Sequence, residues 1–168
     1  TGGQRSGKSM YAERLALSLT DQPIYFATAR IWDEEFKERV KRHQARRGDN
    51  WTNIEEEKYL SHHTIYNKVC VVDCITLWCT NFFFDANQNN PKEPVIDEAL
   101  DAIKKEFDQF TAQDATFIFV TNEIGSGGVS DNVVQRRFTD MEGWMNQYVA
   151  SKADEVVLMV SGIPVKIK

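Results

Sequence analysis

The sequence predicts an α/β fold: a mainly parallel sheet flanked by helices, with a β-hairpin near the carboxyl end. Three observations carry that prediction. Short apolar runs of strand length alternate with segments of helical period along the chain. The run Val69-Cys70-Val71-Val72-Asp73 is apolar at every position until its terminal acid, as a strand covered on both faces must be. A glycine-rich segment, Gly2-Gly3-Gln4-Arg5-Ser6-Gly7-Lys8-Ser9, leads into the first helical pattern.

In chain order, Ala12, Leu15, Ala16 and Leu19 fall on one helix face, and Asp21-Gln22-Pro23 ends that helix. Ile24 to Ala27 reads as a short buried strand. Asp33 is placed to cap a charged helix that Gly48 closes, with Phe36, Val40 and His43 at i, i+4 and i+7. Trp51 to Glu55 suits another short strand, and the apolar segment Ile75 to Phe84 is read as helical. Asp85 to Pro94 is rich in Asn and Pro and reads as a surface loop. Leu100, Ile103, Phe107 and Phe110 support a helix over about residues 95–112. Thr116 to Thr121 is a β-branched and aromatic strand, and the three glycines between Asn122 and Ser130 mark a loop. Val134, Phe138, Met141, Met145 and Tyr148 outline a long amphipathic helix. Glu155 to Val160 and Val165 to Ile167 form the hairpin, around Gly162-Ile163-Pro164.

A length of 168 residues suits a single domain spanning 1–168. The hydrophobic fraction of 42% and charged fraction of 27% are those of an ordinary water-soluble domain. No apolar run approaches the ~20 residues of a membrane span, so no membrane insertion is expected. A net charge of −5 argues against a protein that coats nucleic acid. The three cysteines are odd in number and form no C-x-x-C pair. That disfavours a disulfide framework or zinc site and points to the cytoplasm; Cys70 and Cys74 read as inert core. The first residue already lies within the glycine-rich motif. A strand is therefore expected ahead of Thr1, and the absence of a leader decides nothing.

Gly2 to Ser9 satisfies G-x-x-x-x-G-K-[ST] in full, which makes the predicted fold P-loop NTPase-like. Its glycines let successive backbone N–H groups curl around phosphate oxygens, and the following helix adds its positive dipole end. Lys8 is placed to reach the β- and γ-phosphates, and the Ser9 hydroxyl to ligate Mg²⁺. Asp73, ending its apolar strand, is either a magnesium acid or a helix cap before Ile75. The carboxyl ends of parallel strands form the ligand-binding edge of such sheets. Asp73, the Thr121 to Glu123 segment and the glycine-rich loop are thus expected to converge there.

Lys37, Arg39, Lys41, Arg42, Arg46 and Arg47 surround His43. Two readings stand for this segment: a solvated basic helix, or a local anion site. A neutral imidazole is a competent nucleophile toward phosphorus. Neighbouring cations would oppose its protonation and stabilise charge on a transferring phosphate. The glycines of Asn122 to Gly128 suit either close approach to a ligand or a flexible connection. Arg136 and Arg137 are either phosphate ligands or surface charges. Trp32, Trp51 and Trp78 either stack on a base or pack in the core.

Several segments together resemble one family. They are Thr1 to Ser9, Ala27-Thr28-Ala29, the Arg39-x-x-x-His43-x-x-Arg46-Arg47 segment, Trp51 and Val72 to Trp78 with Asn81. Further along are Thr121 to Gly125, Arg137-Phe138-x-Asp140, Asn146-Gln147 and Gly162 to Lys166. Nearly end to end, the chain resembles the bifunctional adenosylcobinamide kinase/adenosylcobinamide-phosphate guanylyltransferase family of cobalamin synthesis. The resemblance implies that ATP or GTP phosphorylates the aminopropanol hydroxyl of adenosylcobinamide. GTP then donates GMP to that phosphate through a guanylylated histidine, giving adenosylcobinamide-GDP and pyrophosphate. The histidine carries over to His43; His62 and His63 lie outside the motif. Nucleotide contacts carry over to Gly2, Gly3, Gln4, Arg5, Ser6, Gly7, Lys8 and Ser9, to Ala29, Arg30 and Ile31, to Arg46, Arg47, Gly48 and Asp49, and to Glu55 and Asp73. A homo-oligomer is implied, with a trimer as its form. Two other readings are a P-loop kinase without guanylyl transfer and a regulatory GTP-binding module. The second usually carries an Asn-Lys-x-Asp segment, which this sequence lacks.

Overall fold

A computed structural model describes residues 1–31, 38 and 47–168. The expected helix from Asp33 to Gly48 falls almost wholly outside the described residues, and with it Phe36, Val40, His43 and Arg46. The elements are α1 (Lys8–Leu19), β1 (Ile24–Ala27), β2 (Thr52–Glu55), β3 (Val69–Asp73) and α2 (Ile75–Ala86). They continue with α3 (Asp97–Thr111), β4 (Thr116–Val120), α4 (Val133–Lys152), β5 (Val157–Val160) and β6 (Ile163–Lys166).

Four strands form a parallel sheet in the order β2-β1-β3-β4, and β5 and β6 form a separate antiparallel pair. The period of two along each strand decides which layer its side chains enter. Tyr25 and Val71 point to one face, where Ala12 and Ala16 of α1 pack with Trp51 and Val120. Phe26, Cys70 and Val72 point to the other, against Trp78 and Phe83 of α2, Ile103 and Phe110 of α3, and Met141 and Met145 of α4. The sheet is therefore the middle of three layers, as the alternating pattern required.

Local chemistry sets the helix limits. Asp97 and Glu98 place negative charge in the first turn of α3, where the helix dipole favours it. Asn132 caps α4, its side chain accepting from the Gln135 N–H. In α1 only the alanines are buried; Leu19 is 54% exposed at the helix end. The hairpin is tighter than expected. Ser161 (φ 51°) and Gly162 (φ 83°) form a two-residue turn with both φ positive, which matches the strand twist. Ile163 and Pro164 consequently belong to β6. Pro164 removes one N–H from a strand on the edge of its sheet, where that is tolerated.

Register positions the ligand edge. Ala27 is paired with Glu55 on one side and Asp73 on the other, and Asp73 with Val120. The four strand ends thus stand in one row. Thr1 and Gly2 run beside that row. The Thr1 nitrogen donates to Val157 O and the Met159 N–H to Thr1 O, each at 2.8 Å, while the Glu123 N–H reaches Gly2 O at 3.2 Å. The backbone entering the glycine-rich loop therefore lies between the exit of β4 and β5.

Candidate nucleotide site

The glycine-rich loop is shaped by three residues of positive φ: Gly2 (144°), Arg5 (59°) and Gly7 (100°). A Cβ at Gly2 would lie 2.5 Å from Met159 O, so the close approach of β5 itself requires glycine. The hairpin turn supports the other end of the loop, with the Gly162 N–H donating to Ser6 O at 2.9 Å. Lys8 Nζ donates to Gly3 O at 2.6 Å, closing a ring across the loop. Burial holds the Lys8 ammonium below its usual pKa, and the nearby Cys74, Asp73 and Glu142 side chains partly oppose that shift. No side chain caps the start of α1. Its first amides are thus open to an anion, as a phosphate cradle requires. Ser6 Oγ is buried without a hydrogen-bond partner, packed toward Gly2.

Asp73 ends β3 in the same row. Its Oδ2 accepts from the Tyr25 hydroxyl at 2.7 Å. The capping alternative is not realised, since Cys74 occupies the N-cap position of α2 and no side-chain bond caps that helix. Arg47 stacks on the other side of Tyr25, 3.5 Å from the ring centroid, and donates to Asn53 Oδ1 at 2.7 Å. The last cation of the basic segment is thereby linked through Tyr25 to Asp73. Ser9 and Asp73 offer hydroxyl and carboxylate oxygens, the hard donors that Mg²⁺ takes alongside phosphate oxygens. Among the described residues no cluster of three or more His, Cys, Asp or Glu side chains forms a self-sufficient metal centre.

Ala29, Arg30 and Ile31 meet Glu55 across a cavity of about 340 Å³ at the ends of β1 and β2, lined also by Ala27, Glu56 and Glu57. Two segments predicted separately are thus brought together. The Arg30 guanidinium is already engaged, donating to Asp85 at 2.8 and 3.2 Å and to Glu57 at 2.7 Å. The Arg30 hydrogen bonds pull Asp85 down to a pKa of about 2. Thr28 ties this segment to the Asp73 row: its hydroxyl donates to Cys74 O at 2.8 Å and accepts from the Cys74 N–H at 2.9 Å.

The segment after β4 is held by a polar network that the sequence did not reveal. The Thr76 hydroxyl donates to Glu142 and accepts from the Asn122 N–H and Nδ2, at 3.1 and 3.0 Å. Asn146 Nδ2 donates to Asn122 O at 3.0 Å, and the Thr121 hydroxyl to Asn146 Oδ1 at 2.6 Å. Glu142 is 1% exposed. Burial lifts its pKa to about 7, Glu123 adding to the rise while the Thr76 hydrogen bond, the Ile124 N–H and Lys8 oppose it. The available signal was spacing: Glu142 stands four residues from both Phe138 and Asn146, on the inner side of α4.

Other candidates are placed elsewhere. Arg136 donates to Ser130 O and Asp131 O, at 2.8 and 2.9 Å, bracing the glycine loop. Trp51 and Trp78 are core residues, Trp78 with its Nε1–H on Lys58 O, whereas Trp32 lies outside the described residues. His62 stacks on Tyr59, and His63 lies 3.4 Å from Glu56. Gly48 and Asp49 are exposed. The three cysteines are free and buried, and burial pushes the Cys70 and Cys74 thiols up to about 12, which leaves them unreactive.

Comparison with known proteins finds relatives along nearly the whole chain. The family model described as cobinamide kinase / cobinamide phosphate guanyltransferase matches residues 1–167. The bifunctional adenosylcobalamin biosynthesis protein CobU of Escherichia coli K12 is 38% identical, covering 100% of this chain and 97% of its own length. Its counterpart in Salmonella typhimurium LT2 is 37% identical with the same coverage. The bifunctional adenosylcobalamin biosynthesis protein CobP of Pseudomonas aeruginosa PAO1 is 33% identical, covering 99% of this chain and 94% of its own. With a phosphate loop, an acid-ended strand and a full-length match in hand, the chain belongs to the cobinamide kinase / cobinamide phosphate guanyltransferase family.

Proposed function

We propose that this protein phosphorylates adenosylcobinamide with ATP or GTP and then transfers GMP from GTP to the new phosphate. The observation that supports the first step most directly is Lys8 bridging its own loop beside Asp73, in the row of strand ends. A γ-phosphate in that loop meets backbone N–H groups, the α1 dipole and the Lys8 ammonium together. The aminopropanol oxygen attacks the γ-phosphorus, the nucleoside diphosphate leaves with the bond electrons, and the hydroxyl proton passes to solvent. Lys8 stabilises charge on the transferring group. Mg²⁺, held by Ser9 and Asp73 with the phosphates, would neutralise the polyphosphate.

In the second step the His43 imidazole attacks the α-phosphorus of GTP and pyrophosphate leaves. The phosphate of the first product then attacks the guanylyl phosphorus and frees His43. Covalent catalysis of this kind divides one displacement into two. The P-loop presents the γ-phosphate whereas His43 must meet the α-phosphate, so the nucleotide or the basic segment is repositioned between steps. The cavity between Ala29–Ile31 and Glu55 is the candidate pocket for the base. Arg46, Arg47, Gly48 and Asp49 belong to the nucleotide contacts of this reading. The buried thiols suit a reducing cytoplasm. Exposed Ile163 and Val165 of β6, with Ile167 just beyond it, suit self-association into the implied trimer.

Labelled GTP tests the reading: the protein should acquire one acid-labile, alkali-stable guanylyl group on His43. His43→Ala should lose guanylyl transfer and keep phosphoryl transfer. Labelling that survives in His43→Ala would remove His43 as the nucleophile.

A further inference from the structure

A second concavity lies between the segment that follows β4 and helix α4. It is an open groove of about 650 Å³ between the glycine loop and the outer face of α4. Its apolar lining is left bare: Val129 is 88% exposed, Trp144 46% and Val133 42%. Three large apolar side chains clustered in one concavity mark a ligand surface rather than scattered exposure. Arg137 and Gln147 stand in the same groove, and neither makes a hydrogen bond or ion pair among the described residues. The wall includes Gly125 and Gly143. A Cβ at Gly143 would touch nothing within 4 Å, so the helix surface there is open to a flat body.

The groove shares two chain segments with the surroundings of the phosphate loop. Gly125 stands two residues past Glu123, whose N–H bonds Gly2 O, and Gly143 follows Glu142, which is coupled electrostatically to Lys8. A ligand lying in the groove can therefore send a short arm past Glu123 to the loop.

We propose that this groove is the acceptor site, taking the ring of cobinamide. The assignment rests on the functional reading above. Cobinamide is a flat macrocycle fringed with amides, and its reacting hydroxyl sits at the end of a flexible arm. The arm sets the ring to one side of the phosphorus, where the groove lies. Trp144, Val129 and Val133 cover the apolar ring, and Arg137 and Gln147 donate to amide carbonyls on its rim. An acceptor of this size needs a surface distinct from the nucleotide pocket, and the groove supplies one on the far side of Glu123.

The test begins with wild-type protein and measures phosphorylation of cobinamide by ATP or GTP, together with cobinamide binding in the absence of nucleotide, read from the corrin absorbance. Trp144→Ala should raise both the KM and the Kd for cobinamide by about tenfold or more, with the KM for nucleotide unchanged. Trp144→Phe should recover most of the loss, and Val129→Ser, in the exposed loop, should weaken cobinamide in the same direction. Unchanged cobinamide binding in Trp144→Ala would overturn the groove assignment and leave the functional reading intact. Weakened binding accompanied by a change in sedimenting mass would also overturn it, identifying the groove as a contact between subunits. Wild-type protein that turns over nucleotide but never cobinamide would overturn the functional reading, and the acceptor site with it.

Discussion

Lys8, half-buried, and Glu142, fully buried, are two electrostatically coupled titratable groups, and their environments act on them differently. Lys8 is partly desolvated yet faces Asp73 and Glu142. Its ammonium is held across the loop before any phosphate arrives. Lys8→Ala is expected to lower kcat for phosphoryl transfer by about 10²–10³; a loss smaller than tenfold would deny Lys8 its place on the transferring phosphate. Glu142 is lifted by burial to a pKa of about 7 from an ordinary value near 4.5. A carboxyl whose folded pKa is raised contributes its stability below the unfolded pKa and loses it as pH climbs through the folded one. Urea denaturation at pH 5 and pH 8 should therefore show wild type losing up to about 3 kcal/mol relative to Glu142→Gln over that interval. Parallel pH profiles would sink the assignment. At this scale the glycine-rich loop was legible as a turn into a helix because the spacing of its glycines sets the backbone, as the positive φ of Gly2 and Gly7 shows. Glu142 was not, because a carboxylate among core positions declares itself only when Thr76, Ile124 and Lys8 are seen around it. Trp144 escaped notice for the converse reason: exposure cannot be read from residue type.

At the scale of elements, the glycine-rich loop is held from outside as much as by its own turns. Met159 O presses against Gly2 and the Gly162 N–H holds Ser6 O. Gly2→Ala combines a positive φ with a clash against backbone and should cost about 1–3 kcal/mol of stability. Gly3→Ala meets nothing within 4 Å and should stay within about 0.5 kcal/mol of wild type. Thermal melts of the pair decide the matter, and equal effects would mean that β5 does not constrain the loop. Periodicity located β1, β3 and the long helices because each buries a face of fixed spacing, as Val71 and Val72 do on opposite sides of the sheet. The turn at Ser161-Gly162 was misjudged because Gly162-Ile163-Pro164 looks like a loop on composition, whereas the positive φ of Ser161 places the turn one residue earlier. The support that this turn gives to Ser6 could not be read locally, since it joins opposite ends of the sequence.

At the scale of the molecule, the parallel sheet gathers its strand ends into one edge, and the glycine-rich loop and the cavity between Ala29–Ile31 and Glu55 lie along it. A ligand that binds only this assembled edge stabilises the fold through mass action. ATP or GTP at about 100 times its Kd should raise the unfolding free energy by about 2.7 kcal/mol, a gain that Lys8→Ala should largely abolish. A nucleotide that leaves the melting temperature unchanged would contradict a preformed phosphate site. The order of the sheet was foreseeable only in outline, because residue pattern gives each strand its face but not its neighbour: β1 lies between β2 and β3 although β2 follows it in the chain. The bond between Thr1 and Val157 spans 156 positions of sequence. Contacts so distant close late and slow the search for the native state. A growing chain on the ribosome will have made the whole phosphate-binding motif long before residues 157–162 exist to shape it. Cellular ATP and GTP therefore have no finished cradle to grip during synthesis. Nucleotide can reward the completed fold but cannot guide its early assembly: all four strands of the parallel sheet are made before the hairpin that shapes the loop.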